Sequence, residues 1–89
     1  MTVFSACIAQ CGLGIDEAAR ILGQSREEVE EKASGVRDMV QADAAELGRL
    51  YRLIHLGHVA GLPQGVRDAA AALRLLRGAE IITATETEG

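Results

Sequence analysis

Apolar residues return every three or four positions through most of this chain, and glycines interrupt the rhythm at a few defined places. That period is helical. The breaks fall at 12–14, 23–25, 34–36, 61–65 and Gly78, and the stretches between them predict five helices, over about 2–10, 15–22, 25–34, 39–59 and from Pro63 onward. The first has no charge and carries Val3, Ala6, Cys7 and Ala9 in an apolar band, so it is expected to be largely buried. The fourth carries Val36, Val40, Ala44, Leu47, Leu50, Tyr51 and Ile54 at helical spacing, widened by Leu53 and Leu56. A stripe that wide needs more than one neighbouring helix.

In the fifth helix Pro63 suits the first turn, where its missing N–H is not needed. Val66, Ala69, Ala70, Leu73 and Leu76 form one apolar face, and Ala71, Ala72 and Leu75 form another. Two apolar faces on a terminal helix predict a homodimer, with Val66, Ala70, Leu73 and Leu76 as the interface. The tail over 79–89 changes character, because Ile81, Ile82, Thr83, Thr85 and Thr87 are β-branched and acids are interspersed among them. It reads as a brief strand or as a frayed end.

The second and third helices are short and separated only by Gly23, Gln24 and the helix-starting Ser25. Ser25 followed by Glu28 has the spacing of a capping box, in which hydroxyl and carboxylate satisfy each other's backbone amides. Gly23 and Gly35 stand where helices end in a left-handed turn.

Composition narrows the class of protein. Eighty-nine residues make one small domain. A content of 48% apolar residues with one Pro and no Trp, rich in Ala, Leu, Glu and Arg, favours helix. No apolar run is long enough to cross a bilayer, and the N-terminus lacks a signal-peptide pattern, so no membrane partner is expected and a cytoplasmic location is. Cys7 and Cys11, four apart on one helical face, fit buried thiols better than a disulfide. His55 and His58 lie three apart on the fourth predicted helix, and with the two cysteines they do not make a zinc spacing. No phosphate-binding glycine loop, nucleophilic triad or carboxylate pair is present, so neither an enzyme nor a cofactor is expected.

The small Ala19, the turn glycine Gly23 four residues on and Val29 six residues after that, supported by Ala18 and Leu22, resemble the helix-turn-helix of the phage-repressor (Xre-like) family of transcription regulators. The flanks G-L-G-I-D-E-A-A and A-S-G-V-R extend the likeness over residues 3 to about 78. Ala19 lets the second helix cross close to the first, Gly23 makes the turn, and Val29 plugs the space between them. The resemblance implies an all-α fold, a compact five-helix helix-turn-helix domain over 1–78 followed by the acidic tail, and it implies a dimeric DNA-binding regulator.

The departures from the family concern function. Where the family places a polar residue against a DNA phosphate, at the start of the second helix, this chain has Ile15. The positions that would face base edges are Ser25, Arg26, Glu27, Glu30, Glu31 and Ser34, with Arg37 following, and three of the six are acidic. One glutamate can read cytosine, but carboxylates near a duplex are repelled by its phosphates. Glu27, Glu30, Glu31 and Lys32 read together as a solvated acidic face. Charge is uneven along the chain: residues 1–34 hold six acids and three bases, whereas 35–78 hold six arginines and four acids, within a net charge of −4. The expected partner is therefore DNA or, in the alternative, a basic protein surface that docks on an acidic third helix which no longer binds DNA.

Overall fold

The computed structural model describes the backbone of residues 1–88 and the side chains of residues 1–78. Among the described residues the chain is all-helical: α1 (Val3–Gln10), α2 (Ile15–Leu22), α3 (Arg26–Ser34), α4 (Gln41–Leu56) and α5 (Gln64–Glu88). Each boundary has a chemical cause. Thr2 and Ser5 cap α1 reciprocally, each side-chain oxygen accepting the other's backbone N–H at 3.0 Å. The Thr2 hydroxyl also donates to the carbonyl of Ala33 at 2.8 Å, tying the start of α1 to the end of α3.

At the start of α2, the Gly14 N–H donates to the Glu17 carboxylate at 2.9 Å. The helix stops at Gly23, whose φ of 67° is the left-handed conformation that a side chain disfavours, and Gln24 N–H then closes the turn on the Ala19 carbonyl at 2.9 Å. Helix α3 begins with the Ser25 hydroxyl accepting from Glu28 N–H at 3.1 Å. The predicted capping box is only half made, because the Glu28 carboxylate meets the Ser25 hydroxyl at 3.3 Å instead of the Ser25 amide. Helix α4 starts two residues later than its apolar pattern predicts, since Asp43 takes the Val40 N–H at 3.1 Å and fixes the cap there. It also ends earlier, at Leu56, with Gly57 as the cap.

The core draws Phe4, Ile8 and Cys11 from the α1 region, Ala18 and Ala19 from α2, Val29 from α3, Leu47, Leu50 and Ile54 from α4, and Val66 from α5. Helix α2 packs on α3, α1 bridges α3 and α4, and α4 carries α5. The start of α5 comes so close to the turn after α1 that a Cβ on either Gly12 or Gly65 would collide with the backbone of the other. Val36 and Val40, assigned by spacing to the buried stripe, precede α4 and are 78% and 50% exposed.

Two expectations for the last helix are corrected. The helix passes through Gly78 and its backbone continues to Glu88, so the described part of the tail is helix and not a strand. Extending an existing helix costs far less than nucleating one, and a single internal glycine takes back only about 1 kcal/mol. The side chains of 79–89 lie outside the described residues. The face assigned to a dimer is also largely internal: Val66 is completely buried, Ala70 and Leu73 pack against the core, and only Leu76, 67% exposed, faces outward.

Ala19 is 8% exposed where α2 and α3 cross, which leaves no room for a larger residue. We predict that Ala19→Leu lowers stability by about 1–3 kcal/mol through overpacking. A variant whose thermal unfolding midpoint matches the parent's would contradict this packing of α2 on α3.

Candidate functional site

Val29 and Lys32 turn the inner face of α3 into the protein, at 0% and 6% exposure. Its outer face carries the residues singled out by sequence. Ser25, Arg26, Glu27, Glu30, Ser34 and Arg37 are exposed and Glu31 is half-buried, so the structure brings the whole set together on one side of α3 and its exit. Ile15, the first residue of α2, is half-buried and packs against the core.

The two cations of this surface are already engaged. Arg26, the first residue of α3, donates through Nε to Glu30 at 2.7 Å and through Nη1 to Asp16 on α2 at 3.1 Å. Its Nη2 has no partner among the described residues. The guanidinium is held above its ordinary range first by the bond to Glu30 and then by the nearby Asp16 charge. Arg37 donates to the Glu31 carboxylate at 3.0 Å, and the Ser34 hydroxyl closes back on the Glu31 carbonyl at 3.2 Å. Glu27 has no such cation among the described residues, so the face as a whole is anionic.

Lys32 corrects the reading of a uniformly solvated helix face. Its ammonium donates to Asp43 at 2.7 Å and to the side-chain carbonyl of Gln24 at 2.9 Å, and the Gln24 amide donates to the other Asp43 oxygen at 2.6 Å. The turn, α3 and the start of α4 are thus joined by one buried polar network. Spacing offered a signal that charge concealed, because Lys32 lies three residues after the core residue Val29 and shares its face.

The other candidate chemistry is dispersed. Cys7 and Cys11 are free thiols. Cys11 is buried with its sulfur 3.7 Å from the Leu47 carbonyl, and burial, followed by the neighbouring Cys7, raises its pKa. His58 lies beyond the end of α4, so the two histidines do not share a helix as their spacing predicted. Among the described residues no group of three or more His, Cys, Asp or Glu is placed to hold a metal ion, and no helix is long and apolar enough to cross a membrane. Compared with family models, curated proteins and solved structures, the chain matches none.

Burial alone would push the Asp43 carboxyl up, yet the Lys32 ammonium, the Val40 amide and the Gln24 amide together hold it below its usual range. The folded protein therefore binds this proton more weakly than the unfolded chain does. The resulting stabilisation is complete above the unfolded value of about 3.9 and is lost as pH falls through the lower folded value. Asp43→Asn, which strands a buried ammonium, is expected to cost about 3–5 kcal/mol at neutral pH. It should also flatten the acid limb of the stability curve. Urea midpoints measured from neutral pH down to about pH 2 test this, and parallel parent and variant curves below pH 4 (about the unfolded value) would refute the assignment.

Proposed function

We propose that this protein is a small DNA-binding transcription regulator of the phage-repressor (Xre-like) type, with α3 as its recognition helix. Arg26 carries the reading. It occupies the first position of α3, and the N-terminal residues of a recognition helix are those that reach base edges. Carboxylates hold its guanidinium at Nε and Nη1 while Nη2 has no partner among the described residues, so little side-chain freedom remains to be lost when Nη2 meets the O6 or N7 of guanine. The surrounding acids weaken phosphate attraction, which supplies most non-specific affinity, and leave discrimination to base contacts.

A second reading rests on a different observation. Both cations of the face are neutralised by carboxylates, so the surface offered to a partner is anionic and suits a basic protein surface.

Titration with random duplex and with DNA flanking the protein's own coding region, at about 50 mM salt and above, separates the two. On the DNA reading affinity falls steeply with salt, Arg26→Ala weakens the preferred sequence by roughly tenfold or more, and the triple change of Glu27, Glu30 and Glu31 to Gln raises affinity for random duplex. Absence of binding by parent and triple variant alike removes DNA in favour of the protein partner.

The regulator is proposed to act as a homodimer, since two recognition helices one turn of DNA apart read paired half-sites. The surface for this differs from the one spacing predicted. Leu75 and Leu76 are 74% and 67% exposed on α5, and Leu76 borders a shallow apolar depression with Ala9, Tyr51 and Ala72. Changing Leu75 and Leu76 to Glu should halve the mass seen by sedimentation while the unfolding curve at low concentration stays in place. A parent that sediments as a monomer at micromolar concentration overturns the dimer.

A further inference from the structure

At the end of α4 the chain leaves the helix at Gly57, loops through Val59 and returns along α5, enclosing a cleft of about 350 Å³. The small side chains of Ala70 and Ala71 leave its α5 wall open, and Ile54, Val59 and Leu73 make an apolar floor. The remaining wall is cationic. Arg67, Arg74 and Arg77 line it with His55, and among the described residues no carboxylate does. Arg67 and Arg74 lie two turns apart on one face of α5, about 10 Å along the axis, and Arg77 follows one turn later. Among the described residues none of the three forms an ion pair, whereas Arg26, Arg37 and Arg49 each have a carboxylate partner. Asp68, the acid next in sequence to Arg67, is bonded to Gln64 instead.

Arg77 is fixed in this wall. Its Nη1 donates to the His55 carbonyl at 3.1 Å and its Nη2 meets His55 Nδ1 at 2.8 Å. A guanidinium only donates, so Nδ1 accepts, and Nε2 is a buried atom with no hydrogen-bond partner among the described residues. The wall therefore holds a positioned cation with two further arginines beside it.

We propose that this cleft binds a small organic anion, a carboxylate or phosphate headgroup on a short apolar body. Its headgroup pairs with Arg67 and Arg74 and its body covers Ile54 and Val59. The volume lies within the usual range for ligand pockets, and a few charged groups over an apolar floor is their usual lining. Guanidinium forks match carboxylate and phosphate geometry. None of the residues lining the cleft belongs to α2 or α3, so the site stands apart from the DNA reading.

The test is an amide NMR titration of the full chain with sodium octanoate, beside 1-octanol, which has the body without the charge, and inorganic phosphate, which has the charge without the body. Octanoate should shift resonances at the end of α4 and along α5 saturably, and the other two should bind at least roughly tenfold more weakly. Arg67→Gln and Arg74→Gln should each weaken octanoate roughly tenfold, and Ala71→Leu should fill the cleft and abolish binding. Arg52→Gln, an exposed α4 residue that does not line the cleft, should leave it unchanged. Melting curves check the fold of every variant, and if one unfolds, the comparison of the three probes on the parent still decides. No saturable octanoate shift, octanol or phosphate binding as tightly, or undiminished binding by Arg67→Gln and Arg74→Gln overturns the proposal. So does a loss of duplex DNA affinity in those two variants with octanoate binding intact, which assigns the arginines to nucleic acid.

Discussion

The orientation of α3 depends on one buried ion pair. Placing Lys32 and Asp43 out of water costs several kcal/mol per ion, and such a pair is tolerable only when its donors and acceptors are well used. Here the Asp43 oxygens accept from Lys32, from the Val40 backbone and from Gln24, while the Lys32 ammonium also reaches the Gln24 carbonyl. The Gln24 amide can point only one way, because its two ends face a cation and an anion. The turn, the third helix and the start of the fourth are thereby fixed to each other. With Lys32 inward, a helical step of about 100° per residue sends Glu27, Glu30 and Ser34 to the far side and leaves Glu31 at the flank. Glu31 is half-buried and the other three are exposed, as that rotation requires.

The outer surface inherits an electrostatic tension from this arrangement. Exposed ion pairs such as Arg26 with Asp16 and Glu30 contribute little to stability, so their presence is better explained by what they do to the surface. Each carboxylate removes net positive charge and restricts an arginine. On the DNA reading these effects oppose each other in affinity and agree in selectivity: attraction to any duplex falls, while the loss of freedom on meeting one particular base becomes smaller. On the protein reading the same carboxylates are themselves the contact groups. The face is one structure with two electrostatic uses, and salt dependence with each type of partner distinguishes them.

Much of the fold was legible in the chain because periodicity and punctuation agreed. Gly23, Ser25 and Gly35 mark the limits of α2 and α3, and the core residues Ala19 and Val29 fell where spacing put them. Four features were obscured. Lys32 reads as solvent-facing because it follows a run of glutamates, and its partner lies eleven residues on, beyond any local pattern. Val66 reads as one of a pair of apolar faces, and only packing shows that this face closes the monomer. The tail has β-branched residues, but a long preceding helix lowers the cost of continuing one. The exposed set on α3 was legible as a surface, whereas the pairing of Arg26 with Asp16 needed the two helices placed against each other.

The α4–α5 cleft and the proposed dimer face share one helix, and this has a physical consequence. Leu75 and Leu76 lie between Arg74 and Arg77, so an anion drawn against the arginines acts on the same turn of α5 that presents the leucines. Helix α5 packs chiefly on α4, and the molecule reaches 53 Å along its longest axis, so the attitude of this helix is set over a limited contact. A ligand that differs in affinity between two attitudes of α5 shifts their populations by that difference alone. Dimerisation would in turn alter ligand affinity by the same factor, because coupling between binding sites is reciprocal. On the regulator and anion-site proposals, the response therefore needs no contact between the anion and α3. It needs only that the leucine surface and the arginine wall move as one piece, which a continuous helix from Gln64 to Glu88 provides.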